Sequence, residues 1–185
     1  DLDATDSARQ PTFLVHVLGV RLEGEATDMQ AQTTVTWAHH DADDEGRRSL
    51  NRALLALADG RLEDVVVPAN VAVEVTLTRV LSEHLGRVGI SRERVRDFMT
   101  AAATYSHQLN VLLPAVLHER GARRMPDHIR GLLNRLRDLR NDVGHRGESR
   151  TALTRDVVGE CLAAAVFGFH YVRLAGEVLA GRAHQ

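Results

Sequence analysis

An arginine, an asparagine and a histidine stand close together in the segment RNDVGH, as Arg140, Asn141 and His145. The planar guanidinium of an arginine can hold a nonbridging phosphate oxygen through paired hydrogen bonds. A histidine, whose free pKa is about 6.5, can move a proton near neutral pH. A ribose 2′-hydroxyl would be the natural nucleophile beside such a pair. The segment therefore indicates a phosphodiester site that needs no metal ion.

Further arginines surround this segment. Residues 119–146 carry eight arginines against four acids, on a chain whose formal net charge is −2. A local cluster of this kind is compatible with phosphate contacts, whereas the overall charge argues against nonspecific nucleic-acid binding. Arg137, Arg146 and Arg150 are the candidates for contacts with an RNA backbone, although an exposed helix face would use the same residues.

Glu74 is the second residue of interest, because it falls in an apolar stripe of a predicted helix. An unpaired charge among valines and leucines would cost free energy. We therefore expect Glu74 to lie within ion-pair reach of an arginine. Arg140 is the best single candidate, and Glu74 would then orient the Arg140 side chain without itself contacting the phosphate. A core salt bridge to another arginine is the alternative.

The sequence gives little sign of a metal or cofactor site. The acidic segment HHDADDEG, residues 39–46, contains histidines and carboxylates, but it has no evident partner ligand elsewhere. We expect it to be a solvated loop. The single cysteine, Cys161, excludes an internal disulfide framework and a multi-cysteine zinc site. We expect no cofactor and no bound metal.

The chain divides by pattern into two parts. Residues 1–46 carry an acidic N-terminal extension, in which residues 12–22 and 33–37 alternate and are β-branched enough to predict two strands. Residues 47–185 follow helical periodicity. Gly60 signals a helix end, Ser91 a helix start and Pro126 another start. The predicted helices span residues 49–59, 62–85, 91–103, 106–120, 126–141 and 151–179. No segment indicates a signal peptide or a membrane span, and we expect a cytoplasmic protein.

The segment RNDVGH, the preceding LLNRLRDLRN and the earlier VPANVAVEVTLTRVL together resemble the HEPN superfamily, over about residues 50–180. The resemblance implies a mainly α fold, a HEPN-like bundle of five or six helices. The two N-terminal strands lie outside it, as an addition to the bundle.

The same resemblance implies an activity. Many HEPN proteins are metal-independent endoribonucleases that act as homodimers, with two motifs facing each other across the interface. Arg140 would then polarise the phosphate, His145 would act as acid and base, and Asn141 would position it. RNA products would end in 2′,3′-cyclic phosphate. The implied setting is toxin–antitoxin or antiviral defence, with a cognate antitoxin or a larger defence complex as a further partner and no membrane.

Two alternatives remain open at this point. The protein would instead be a non-catalytic HEPN-like dimerisation or sensor domain if the motif were buried and capped. Locally, RNDVGH would be a plain helix end if Gly144 supplied a left-handed turn and His145 offset the helix dipole. A motif exposed to solvent would favour the enzyme over both alternatives.

Overall fold

Helices follow one another in the order, and at nearly the positions, that the apolar periodicity predicts. The computed structural model describes residues 44–146 and 153–181, and the side chains of all of these except 144–146. The predicted strands at 12–22 and 33–37 lie outside the described residues. The described part forms six helices: α1 (Glu45–Ala58), α2 (Glu63–Arg87), α3 (Arg92–Ala101), α4 (Tyr105–His107, π-helical Gln108–Leu112 and Leu113–Glu119), α5 (Asp127–Arg146) and α6 (Arg155–Leu179). The mainly helical bundle is thus confirmed.

Side-chain caps set the starts of several helices. The Asp44 carboxylate accepts a hydrogen bond from the Arg47 amide at 3.1 Å, and it begins α1. Ser91 caps α3 as predicted, and Thr154 caps α6 in the same way. Each cap satisfies one of the backbone N–H groups that the first helical turn leaves unpaired. After α1, Gly60 takes a positive φ of 73°, which is the predicted helix end.

The central helix of the bundle is α2, which contacts α1, α5 and α6. Val73 and Leu77 of α2 are fully buried, as are Leu133 of α5 and Phe169 of α6. Since α2 meets neighbours on several sides, it needs apolar residues around most of its circumference. Both α2 and α6 are long and apolar enough to span a membrane, and 56% and 44% of their most apolar windows are buried inside the protein. Core helices of bundles have the same character.

Two helix boundaries beside glycines differ from the prediction, and α6 also begins later than predicted, at Arg155 instead of residue 151. Helix α1 begins at Glu45, within the segment 39–46 that was expected to be a loop, and α5 continues to Arg146 instead of ending at Asn141. Both differences involve a glycine, Gly46 or Gly144, which the sequence pattern marks as a break. A glycine inside a helix costs only about 1 kcal/mol relative to alanine, and tertiary packing readily outweighs that cost.

His84 is buried, with 4% of its surface exposed, although its position in the sequence predicts a surface residue. It lies one turn after Val80 and Leu81 and continues their buried face of α2. Its Nδ1 atom has no hydrogen-bond partner among the described residues. Burial, with Arg120 and Arg87 adding to it and Glu119 opposing it, lowers the pKa of His84 below its ordinary value.

The lowered pKa of His84 predicts a pH-dependent stability. The unfolded chain takes up a proton at His84 near pH 6.5, whereas the folded chain takes it up only at lower pH. The free energy of unfolding should therefore fall as pH is lowered through the ordinary histidine pKa of about 6.5. His84→Gln should remove part of this slope in urea titrations, and His128→Gln, at an exposed position, is the control. If the free energy of unfolding depended on pH equally in the unchanged protein and in His84→Gln, the prediction would be contradicted.

Candidate functional site

A polar cleft of about 390 Å³ lies between α2, the beginning of α4, and α5. It gathers four residues that the sequence singled out, and it adds four that the sequence did not. The first four are Glu74, Arg137, Arg140 and Asn141; the added residues are Asn70, Thr104, Tyr105 and Ser106. Residues far apart in the chain thus converge on one site, which makes this cleft the candidate functional site.

The rim of the cleft on α5 is cationic. Arg140 is exposed, and its Nη1 donates a hydrogen bond to Oδ1 of Asn141 at 3.2 Å. Arg137 is less exposed and donates two hydrogen bonds to one oxygen of Asp138, at 3.1 and 2.7 Å. Because residues three and four apart share a helix face, this part of α5 brings its arginines to the same opening. The rim can contact an anion from solvent.

The α2 wall of the cleft carries Glu74 and Asn70. The Asn70 amide nitrogen donates to Oε2 of Glu74 at 3.0 Å, one helical turn apart. Among the side chains that the structure describes, those of residues 44–143 and 153–181, no arginine forms the ion pair predicted for Glu74. The reason is its position, since Glu74 is only partly buried. A partly hydrated carboxylate with one amide donor does not require a cation.

Tyr105 lies against the inner end of the cleft, with 6% of its surface exposed. Its hydroxyl has no hydrogen-bond partner among the described residues, and neither has Oδ1 of Asn70. Burial, reinforced by the Glu74 charge and opposed by Arg137, raises the pKa of Tyr105, so the phenol keeps its proton at neutral pH. An unsatisfied buried polar group costs about 1–3 kcal/mol. Two such groups lie at this one cleft, where a bound water or ligand could satisfy them.

A buried glutamine holds the beginning of α4 against α2. The Gln108 amide donates to the carbonyl of Ala103 at 2.7 Å, and its oxygen accepts from the Thr78 hydroxyl at 2.9 Å. Gln108 opens the π-helical turn of α4. Such turns are rare and occur frequently at functional sites. The arrangement fixes the position of Tyr105 relative to Glu74.

A pair of asparagines joins α4 to α5. Asn110 and Asn134 each donate their amide to the oxygen of the other, at 3.1 and 3.2 Å. Asn110 also donates to the carbonyl of Ser106, close to Tyr105. Asn134 lies about two helical turns before Asn141. The pair therefore fixes the position of α5, which carries the cationic rim, along the length of α4.

The rest of the motif lies at the end of α5. Residues 144–146 are helical, but the structure describes only their backbone, so the side chains of His145 and Arg146 lie outside the described part. Arg150 falls outside the described residues altogether. Gly144 lies inside the helix and does not form a left-handed turn after it. The interpretation of RNDVGH as a glycine-capped helix end is therefore wrong.

Metal ligands do not converge in the described ranges 44–146 and 153–181, where no group of three His, Cys, Asp or Glu side chains could hold an ion. At the cleft, Glu74 is the one carboxylate among the lining residues. Comparison with known proteins adds no relative: no family model, curated protein or solved structure matches the chain.

Proposed function

We propose that the protein is a metal-independent endoribonuclease of HEPN type, acting as a cytoplasmic homodimer in toxin–antitoxin or antiviral defence. One observation carries the proposal: exposed Arg140 shares a cleft with Asn141 and Arg137, so two cations and an amide border one opening that can take a phosphate. The resemblance of RNDVGH and its flanks to the superfamily supplies the reaction class.

The reaction is an internal transfer within RNA. The ribose 2′-oxygen attacks the neighbouring phosphorus, the bond from O2′ to phosphorus forms, and the bond from phosphorus to O5′ breaks. One His145 takes the proton of the 2′-hydroxyl, and the second His145 of the dimer gives a proton to the departing O5′. Arg140 binds the nonbridging oxygens and stabilises the charge that grows on them. The product carries a 2′,3′-cyclic phosphate.

The competing function, a non-catalytic dimerisation or sensor domain, predicts a motif that is buried or capped. Arg140 is exposed, and Gly144 continues the helix instead of capping it. These two observations favour the enzyme.

Incubation of total RNA with the purified protein tests the proposed activity. We expect the unchanged protein to degrade RNA and His145→Ala to leave it intact, because the variant lacks the acid–base group. Equal RNA integrity with both proteins would contradict the proposal.

We also expect a homodimer whose interface includes the end of α5 and part of α6. On the outer face of α6, Phe167 and Leu174 are 43% and 61% exposed, and Phe167 stacks on Tyr171 with ring centroids 6.2 Å apart. Phe167, Tyr171 and Leu174 are four and three residues apart, so they form one apolar stripe along α6. Light scattering at micromolar concentration should give twice the chain mass, and Leu174→Arg should give a monomer with unchanged helicity. A monomeric unchanged protein would contradict this expectation.

A further inference from the structure

Asn70, Glu74 and Tyr105 form the floor of the cleft, beneath the arginine rim, and the phosphodiester chemistry does not use them. One oxygen of Glu74 accepts from Asn70, and the other has no donor among the described residues. The Tyr105 hydroxyl and the Asn70 oxygen are both buried and unpartnered within the same described part. The floor thus offers two acceptor oxygens and one hydroxyl that can donate or accept.

The chemistry of the floor selects the kind of group that fits it. A phosphate or a carboxylate would be repelled by Glu74, whereas a group with adjacent N–H donors would satisfy the acceptors. The volume of about 390 Å³ falls in the range of small-ligand sites, about 300–1,000 Å³. A phosphate on the rim and a donor-rich planar group on the floor together describe a nucleotide.

We propose that the floor is a nucleobase subsite that selects guanine beside the scissile phosphate, an inference that rests on the proposed ribonuclease function. Guanine presents its N1–H and its N2 amino group side by side, so one carboxylate can accept from both. Adenine and cytosine each present a single amino group, and uracil a single ring N–H. Glu74 is the specificity residue, and Tyr105 and Asn70 complete the hydrogen bonds around the base.

Entry of a base to the floor requires the groups that cover it to move, because the Tyr105 hydroxyl and the Asn70 oxygen are buried.

Binding of uncleavable RNA separates this inference from the proposed activity. We use 2′-O-methyl tetranucleotides that differ in one base and measure their affinity by fluorescence anisotropy. The unchanged protein should bind the guanine oligonucleotide at least about tenfold more tightly than the other three. Glu74→Gln should abolish that preference. The matched control is Glu83→Gln, an exposed carboxylate on the same helix, which should keep it.

Tyr105→Phe gives a second, independent readout. Removal of an unsatisfied buried hydroxyl should raise the melting temperature of the free protein and weaken guanine binding by several fold. A raised melting temperature with unchanged guanine affinity would overturn the role of Tyr105 in the floor.

The outcomes distinguish the two proposals. Equal affinity for all four bases, or a preference that survives Glu74→Gln, overturns the guanine subsite, and RNA cleavage that depends on His145 would still support the ribonuclease. Guanine-selective binding that is lost in Glu74→Gln supports the subsite, and if the unchanged protein then cleaves no RNA, the ribonuclease proposal is the one that fails.

Discussion

Replacement of Arg140 or His145 by alanine is expected to lower RNA cleavage by about a hundredfold or more. The Arg140 variant would lose the contact with the phosphate, and the His145 variant would lose the group that transfers the proton. Arg140 is exposed, so its truncation removes little buried area and should change the free energy of unfolding by at most about 1 kcal/mol. Arg140→Lys should also fail, because a point charge does not reproduce a paired contact with phosphate. Cleavage and melting temperature are measured on the same preparations.

Matched controls exist for both variants. Arg94 is an exposed arginine on α3 that does not line the cleft, and His128 is an exposed histidine near the start of α5. Arg94→Ala and His128→Ala should retain cleavage within about twofold, since neither change removes a group that touches the reacting atoms. If the Arg140 and His145 variants instead melt far below the unchanged protein, and cleavage is never detectable, the residues are structural and the enzyme assignment is wrong.

Gly46→Ala is expected to destabilise the protein by about 1–3 kcal/mol. A Cβ at this position would meet the backbone carbonyl of Ala72 and the ring of Phe169 at 3.0 Å each, as well as the Thr76 hydroxyl. The carbonyl belongs to the central helix, and Phe169 is buried, so neither neighbour can withdraw easily. At this chain length the melting temperature should fall by about 2–4 °C for each kcal/mol.

The control for this change is the same substitution in open space. A Cβ at Gly159 of α6 would meet no neighbouring atom within 4 Å. Gly159→Ala should therefore raise the stability, by up to about 1 kcal/mol, through the higher helix propensity of alanine. Thermal unfolding followed by circular dichroism measures both variants. A neutral or stabilising Gly46→Ala would contradict the close packing of α1 against α2 and α6.

The positions of the helices were predictable because their apolar residues recur with helical period and several of their caps are local. Gly46 shows where that reasoning fails. A glycine beside a run of acids signals a loop, yet it is here the small residue that lets the first turn of α1 approach α2. The prediction for His84 fails for a related reason, since a histidine on the polar side of a predicted helix is expected at the surface, whereas His84 is buried. Both depend on tertiary contacts that a local pattern does not contain.

Only the α5 side of the cleft could be predicted from the sequence. Arg137, Arg140 and Asn141 follow one another on a single helix, so their spacing places them together. Tyr105 and Asn70 reach the same cleft from α4 and α2, and their sequence signals are slight: a polar residue one turn before Glu74, and a tyrosine after a threonine cap. Arg140, the best candidate for the partner of Glu74, forms no ion pair with it, because Glu74 is only partly buried whereas the stripe suggested full burial. In the structure Glu74 faces the cleft and bonds to Asn70.

The measurement that tests the central proposal most directly is cleavage of one defined RNA in excess EDTA, with the product ends identified by mass spectrometry. We predict products that end in 2′,3′-cyclic phosphate, no cleavage by His145→Ala, and no cleavage of the same oligonucleotide with 2′-deoxyribose at the cut site. These results follow because the 2′-oxygen is the nucleophile and no metal takes part. Loss of cleavage in EDTA, restored by a divalent metal, or cleavage of the deoxy substrate would contradict the account.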